Sequence, residues 1–101
     1  MFDWITFELQ PGKNSEKDVK VLALSTCAFC ARGMEFLKNH DIEYKYIYVD
    51  RFSKDERKKI AEEFRDKFKQ RGLFPTLIVD DEDFQLGFIE KAWTKSLGLE
   101  K

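Results

Sequence analysis

The run Val19 to Ser25, VKVLALS, is apolar and partly β-branched, and it ends in small polar residues. A strand of that composition suits burial on both faces, inside a sheet covered on two sides. The next residues narrow the fold further. TCAFC brings in both cysteines of the chain, Cys27 and Cys30, after which Cys30, Met34 and Leu37 recur at helical spacing until about residues 39–41. Cys27 therefore stands where a buried strand hands over to a helix.

The remaining segments alternate in the same way. Glu43 to Asp50, EYKYIYVD, has the β-branched and aromatic content of a strand, with Tyr44, Tyr46 and Tyr48 on one face. Ser53 and Glu56 form an S-x-x-E capping box ahead of a helix that runs to about Arg71, with Ile60, Phe64 and Phe68 as its narrow apolar stripe. Both charge signs interleave along this helix, which is the pattern of a solvated face. After Gly72, LFPTLIVDD predicts a strand just past Pro75, a turn over 80–83 and a returning strand in FQLG. Ile89, Ala92, Trp93 and Leu97 share one face of a last helix, and Gly98 falls where its cap belongs. From Val19 to Leu99 the order is β-α-β-α-β-β-α. Residues 1–18 read as an N-terminal extension, with WITFEL a candidate edge strand and PGKNSEKD a polar turn or tether; residues 19–101 form the domain proper.

Bulk properties exclude several functions. With 101 residues, 43% of them hydrophobic, the chain suits one domain with a real core. Lys and Arg (18) nearly balance Asp and Glu (19), leaving no net field to draw nucleic acid or a membrane surface. No stretch approaches the roughly 20 apolar residues of a membrane span, and MFDWITFELQ lacks the pattern of a secretory signal. A cytoplasmic, monomeric protein is expected. Two cysteines are too few for the disulfide framework of a small secreted domain.

Placed at a helix start, the cysteines suggest redox chemistry. The first turn of a helix exposes unpaired N–H groups and the positive end of the dipole, which stabilise a thiolate there. Cys27 is the expected nucleophile. Cys30 lies within disulfide reach on the apolar face and is the expected resolving thiol. Attack by Cys27 on a substrate disulfide, followed by attack of Cys30 on Cys27, needs no metal or organic cofactor. Two other readings stay open: a metal or cluster site shared between chains, and thiols that merely pack. A zinc site within one chain lacks ligands, because His40, ten residues beyond Cys30, would stand about 15 Å from it along a helix.

CAFC after the first strand, FPT before the hairpin and GF at the start of the last helix together resemble the thioredoxin superfamily, and within it the small glutaredoxin-like proteins of archaea and some bacteria. The resemblance spans Val19 to about Leu99. It implies an α/β thioredoxin fold, with a four-stranded mixed sheet flanked by three helices, and a thiol–disulfide oxidoreductase active on protein disulfides. It makes Cys27 the attacking thiol, Cys30 its resolver and Pro75 a cis-proline facing them, and it implies that the Phe74 backbone pairs with an extended substrate segment. Phe29 and Phe88 would flank the dithiol, and Gly87 would let the backbone turn closely. Arg32 reads as solvent-facing.

Departures from the glutathione-using pattern bear on the electron donor. Leu24 stands where such proteins carry a basic residue, and LGFIE replaces their Gly-Gly pair followed by an acidic residue. Losing a cation should weaken binding of an anionic tripeptide, so a reductase is the expected electron source and glutathione a doubtful one. Ala28 replaces the proline frequent in CPYC glutaredoxins. Some relatives without that proline hold an iron–sulfur cluster across a homodimer through the first cysteine, which makes cluster carriage the alternative.

Overall fold

The computed structural model describes residues 1–99, so the last two residues of the expected domain, 100–101, lie outside the described residues. Five strands form one sheet: β1 (Glu8–Gln10), β2 (Val19–Ala23), β3 (Tyr44–Tyr48), β4 (Thr76–Val79) and β5 (Asp83–Leu86), in the order β1-β3-β2-β4-β5. Only β2 and β3 run parallel, joined by the crossover helix α1 (Ala28–Asn39), while every other neighbouring pair is antiparallel. A parallel pair requires such a crossover, whereas β4 and β5 join through a tight turn. There Asp80 and Asp81 both adopt φ +55°, the left-handed region that aspartate tolerates in turns. Helix α2 (Lys54–Phe68) links β3 to β4, and α3 (Glu90–Ser96) follows β5.

Alternation along the inner strands divides the core into two layers. Val19, Val21 and Ala23 of β2, with Leu77 and Val79 of β4, meet Met34 and Leu37 of α1 and Trp93 and Leu97 of α3. On the opposite face Leu22, Ile47 and Ile78 meet Ile60 and Phe64 of α2. The tyrosines of β3 share the first face, as their spacing predicts, with Tyr44 buried and Tyr46 and Tyr48 packed against the same cluster. Ser53 and Glu56 form the expected capping box on α2.

Several boundaries differ from the sequence reading. Helix α2 stops at Phe68, where Lys69 turns into a left-handed cap, instead of continuing to Arg71. Ile89 caps α3 with its side chain in solvent instead of joining the buried face of Trp93 and Leu97. Beyond them Gly98, at φ +70°, closes the helix.

The largest correction concerns residues 1–18. The sheet has five strands, not four, because Glu8–Gln10 pairs with β3. Within WITFEL only Glu8 and Leu9 are strand; residues 4–7 leave the sheet edge so that Phe2 and Trp4 can cover α2. Both oxygens of Glu63 are engaged there, Oε1 by the Phe2 N–H (2.7 Å) and Oε2 by the Trp4 indole N–H (2.5 Å). Lys59 lies over the Trp4 ring. The polar stretch is anchored as well: Asn14 N–H donates to Asp41 O, and Glu43 N–H donates to Asn14 O. At Gly12 an added Cβ would come within 2.6 Å of the Glu43 nitrogen, so the chain passes there only as glycine.

Candidate active site

The end of β2 determines where the thiols stand. Beyond Ala23 the chain leaves the sheet through residues 24–26, and Cys27, with extended backbone (φ −98°, ψ 117°), is the N-cap of α1. Its Sγ accepts the Cys30 N–H at 3.2 Å, the position an N-cap oxygen usually takes, and sulfur bearing negative charge accepts that bond more strongly than a neutral thiol. No acidic residue occupies the first turn of α1, so its free N–H groups have no competing carboxylate on the helix.

Cys27 and Cys30 are both free thiols in contrasting surroundings. Cys27 is half-buried, whereas Cys30 is 0% exposed within the core shared by α1 and α3. Burial, then the hydrogen bond with Cys27 and the charges of Cys27 and Asp50, push the Cys30 thiol up to about 12, against the opposing Leu24 N–H at 3.5 Å from its sulfur. One thiol is reachable and the other is held protonated behind it, the division of labour that attack and resolution require.

The surrounding loops are joined to this pair through backbone groups. The Phe74–Pro75 peptide is cis. Leu22 pairs with Thr76, so the register carries Pro75 to the level of Ala23, beside the loop that delivers Cys27. Pro75 O accepts the N–H of Gly87, whose φ of +75° is glycine territory, at 2.8 Å. Gly87 O in turn accepts the indole N–H of buried Trp93 at 3.0 Å. The Trp93 ring presses against Gly33 of α1, where an added Cβ would come within 2.7 Å of it. The proline loop, the glycine loop and the cysteine helix thus share one keystone, Trp93.

The aromatic residues separate. Phe29 is 57% exposed, with Arg32 stacked over its ring at 5.4 Å, so it belongs to the surface. Phe88 is half-buried, edge-on to Trp93 at 4.9 Å and packed against the core. Phe74 is exposed. Two residues were missed: Leu73 (58% exposed) beside Phe74 and Ile89 (61%) beside Phe88. Large apolar side chains directly flanking the FP and GF motifs were the available signal. Leu24 packs against the second core layer and presents no charge. A groove of about 520 Å³ runs between α1 and the tyrosine face of β3, lined by Lys38, Tyr46 and Tyr48 among others, and Cys27 does not line it.

Comparison with known proteins agrees with this geometry. A family model described as Glutaredoxin matches residues 19–84. Among solved structures, the glutaredoxin from Methanosarcina mazei Go1 is 32% identical, with a TM-score of 0.77 over 93% of this chain and 89% of that one. Methanoredoxin from Methanosarcina acetivorans is 26% identical (TM-score 0.74, 86% and 90% covered), and glutaredoxin grx-1 from Archaeoglobus fulgidus is 27% identical (0.70, 81% and 87%). No curated protein sequence matches the chain. With the fold, the CxxC at a helix start and the family match in agreement, the chain belongs to the glutaredoxin family and is a thiol–disulfide oxidoreductase.

Proposed function

We propose that this oxidoreductase reduces disulfides in other cytoplasmic proteins, working as a monomer and drawing electrons from a reductase protein instead of glutathione. The observation that carries the reading is the exposure of Phe29 in the first turn of α1, of Leu73 and Phe74 before Pro75, and of Ile89 after the Gly87 loop. Exposed apolar side chains on the segments that carry the cysteine, proline and glycine motifs suit a protein surface better than a small anionic tripeptide. Leu24, turned into the core layer, leaves the position of the glutathione-binding cation without charge.

In this reading an extended substrate segment lies along the Phe74 backbone, and the Cys27 thiolate attacks its disulfide. One substrate sulfur leaves and takes a proton. Cys30 gives up its proton to solvent and attacks the Cys27 sulfur. The bond from Cys27 to the substrate breaks, the second substrate thiol departs, and Cys27–Cys30 is left oxidised. Two electrons from the reductase restore the dithiol, and no further cofactor is needed.

Cluster carriage fits these residues less well. One chain offers a single reachable thiol, and no three His, Cys, Asp or Glu side chains converge among the described residues. A cluster would need ligands from a second chain and from a small thiol.

The deciding experiment measures reduction of a protein disulfide with glutathione alone and with dithiothreitol alone, alongside Cys27→Ser. Turnover with dithiothreitol only, lost in the variant, supports the reading; equal turnover with glutathione removes its reductase half. Visible absorbance in protein purified without oxygen would instead favour the cluster.

A further inference from the structure

Two consecutive amides in the loop before Cys27 are committed to different partners. The Leu24 N–H is directed at the Cys30 sulfur, 3.5 Å away. The Ser25 N–H donates to Asp50 Oδ1 at 2.9 Å, and the Ser25 hydroxyl donates to Oδ2 at 2.5 Å. Asp50 belongs to the single helical turn Val49–Arg51 that follows β3. It thus spends both carboxylate oxygens on one residue of another loop, two positions before the nucleophile.

These bonds hold the Asp50 carboxyl below the usual carboxylate range, the Ser25 hydroxyl contributing most, so it is an anion at neutral pH. The carboxylate therefore steadies the Leu24–Ser25 peptide, and with it the adjoining Ala23–Leu24 peptide whose N–H supports the sulfur.

We infer that Asp50 is a positioning residue for the resolving step, holding the Leu24 amide on the Cys30 sulfur through Ser25. This rests on the dithiol reading above, and the test separates the two.

Reduced protein is mixed with dithiobis(nitrobenzoate). A first coloured thiolate is released as Cys27 forms a mixed disulfide, and a second when Cys30 attacks Cys27 and displaces the remaining nitrothiobenzoate. The protein loses two electrons, the reagent becomes two thiolates, and the protons go to buffer. The second phase reports resolution alone. Asp50→Asn can still accept the Ser25 N–H but lacks charge; Asp50→Ala lacks both. Asp50→Asn, which keeps an acceptor for the Ser25 N–H, is expected to leave the second phase within about twofold of wild type, and Asp50→Ala to slow it at least about threefold through lost positioning. Circular dichroism confirms that both variants are folded. Equal rates in all three proteins, or equal slowing in both variants, would overturn the inference. Wild-type protein that releases only one thiolate would bring down the dithiol reading, and this inference with it.

Discussion

On one face of the sheet Trp93 is wedged between Gly33 of α1 and the Gly87 loop; on the other, Glu63 of α2 fastens down Phe2 and Trp4. Both devices close a core layer over the same inner strands. The first runs through the groups that place Cys30, Pro75 and Gly87, whereas the second touches none of them. Disturbing the first face should change both stability and chemistry, and disturbing the second should change stability alone.

The largest effect should come from Trp93→Ala. It removes a fully buried aromatic and leaves Gly87 O without its donor, at a cost of about 3–5 kcal/mol, read from denaturant unfolding, with disulfide-reducing activity lost in parallel. Gly33→Ala approaches the same contact from the helix. Its methyl would press on the Trp93 ring, so about 1–3 kcal/mol and a measurable fall in kcat/KM are expected. Glu63→Ala is the contrasting variant. It strands the Phe2 and Trp4 donors and should cost about 1–2 kcal/mol while kcat/KM stays within about twofold of wild type. A large activity loss in Glu63→Ala would break the separation between the faces.

Alkaline pH acts on the first face. Burial raises the Cys30 thiol from an ordinary 9.0 to about 12; burial, helped by Tyr46 and Tyr48, raises the Tyr44 phenol from 10.0 to about 12. In the unfolded chain both groups lose their protons sooner, so between those values the folded state binds more protons and stability declines as pH rises. The contribution is complete below about pH 9 and lost as pH climbs through 12. Lys20 titrates in the same sense: burial lowers it, but hydrogen bonds to Asp18 and Asp81 outweigh that and raise it. The informative comparison is therefore unfolding between pH 8 and 11 in wild type, Cys30→Ala and Tyr44→Phe. A shallower decline in each variant is expected, and an unchanged slope in both would count against the assignment.

The second face is also where sequence patterns carried least. The β2–Cys27–α1 handover, the capping box at Ser53 and the tyrosine face of β3 were legible because each is local: periodicity and caps act within a few residues. The place of Phe2 and Trp4 depends on Glu63, about 60 positions away, and no periodicity encodes such a contact. The same holds for Asp50 and Ser25, 25 positions apart, and for Pro75 with Gly87, which meet only once β4 and β5 pair. Ile89 shows the opposite failure. Its helical spacing suggested the buried face, but a residue at the cap has left the helix and its side chain follows the loop.

The smallest effect on stability sharpens the comparison most, because it asks whether part of the first face serves binding alone. Phe29 sits in the first turn of α1, one residue before buried Cys30, yet its ring is mostly in solvent beneath Arg32. Truncating an exposed side chain with few packing partners should move stability by no more than about 0.5 kcal/mol. If the ring is a contact for protein substrates, its loss removes about 1 kcal/mol of docking energy, close to a fivefold fall in kcat/KM. The fall should appear with a folded protein disulfide and vanish with a small symmetrical disulfide, which needs Cys27 but not the rim around it. Equal losses on both substrates would mean that Phe29 acts on the thiols through the helix start, and the apolar rim would then lose its standing as a docking surface. Ile89→Ala, at the start of α3 and equally exposed, should give the same split if protein substrates also rest on that segment.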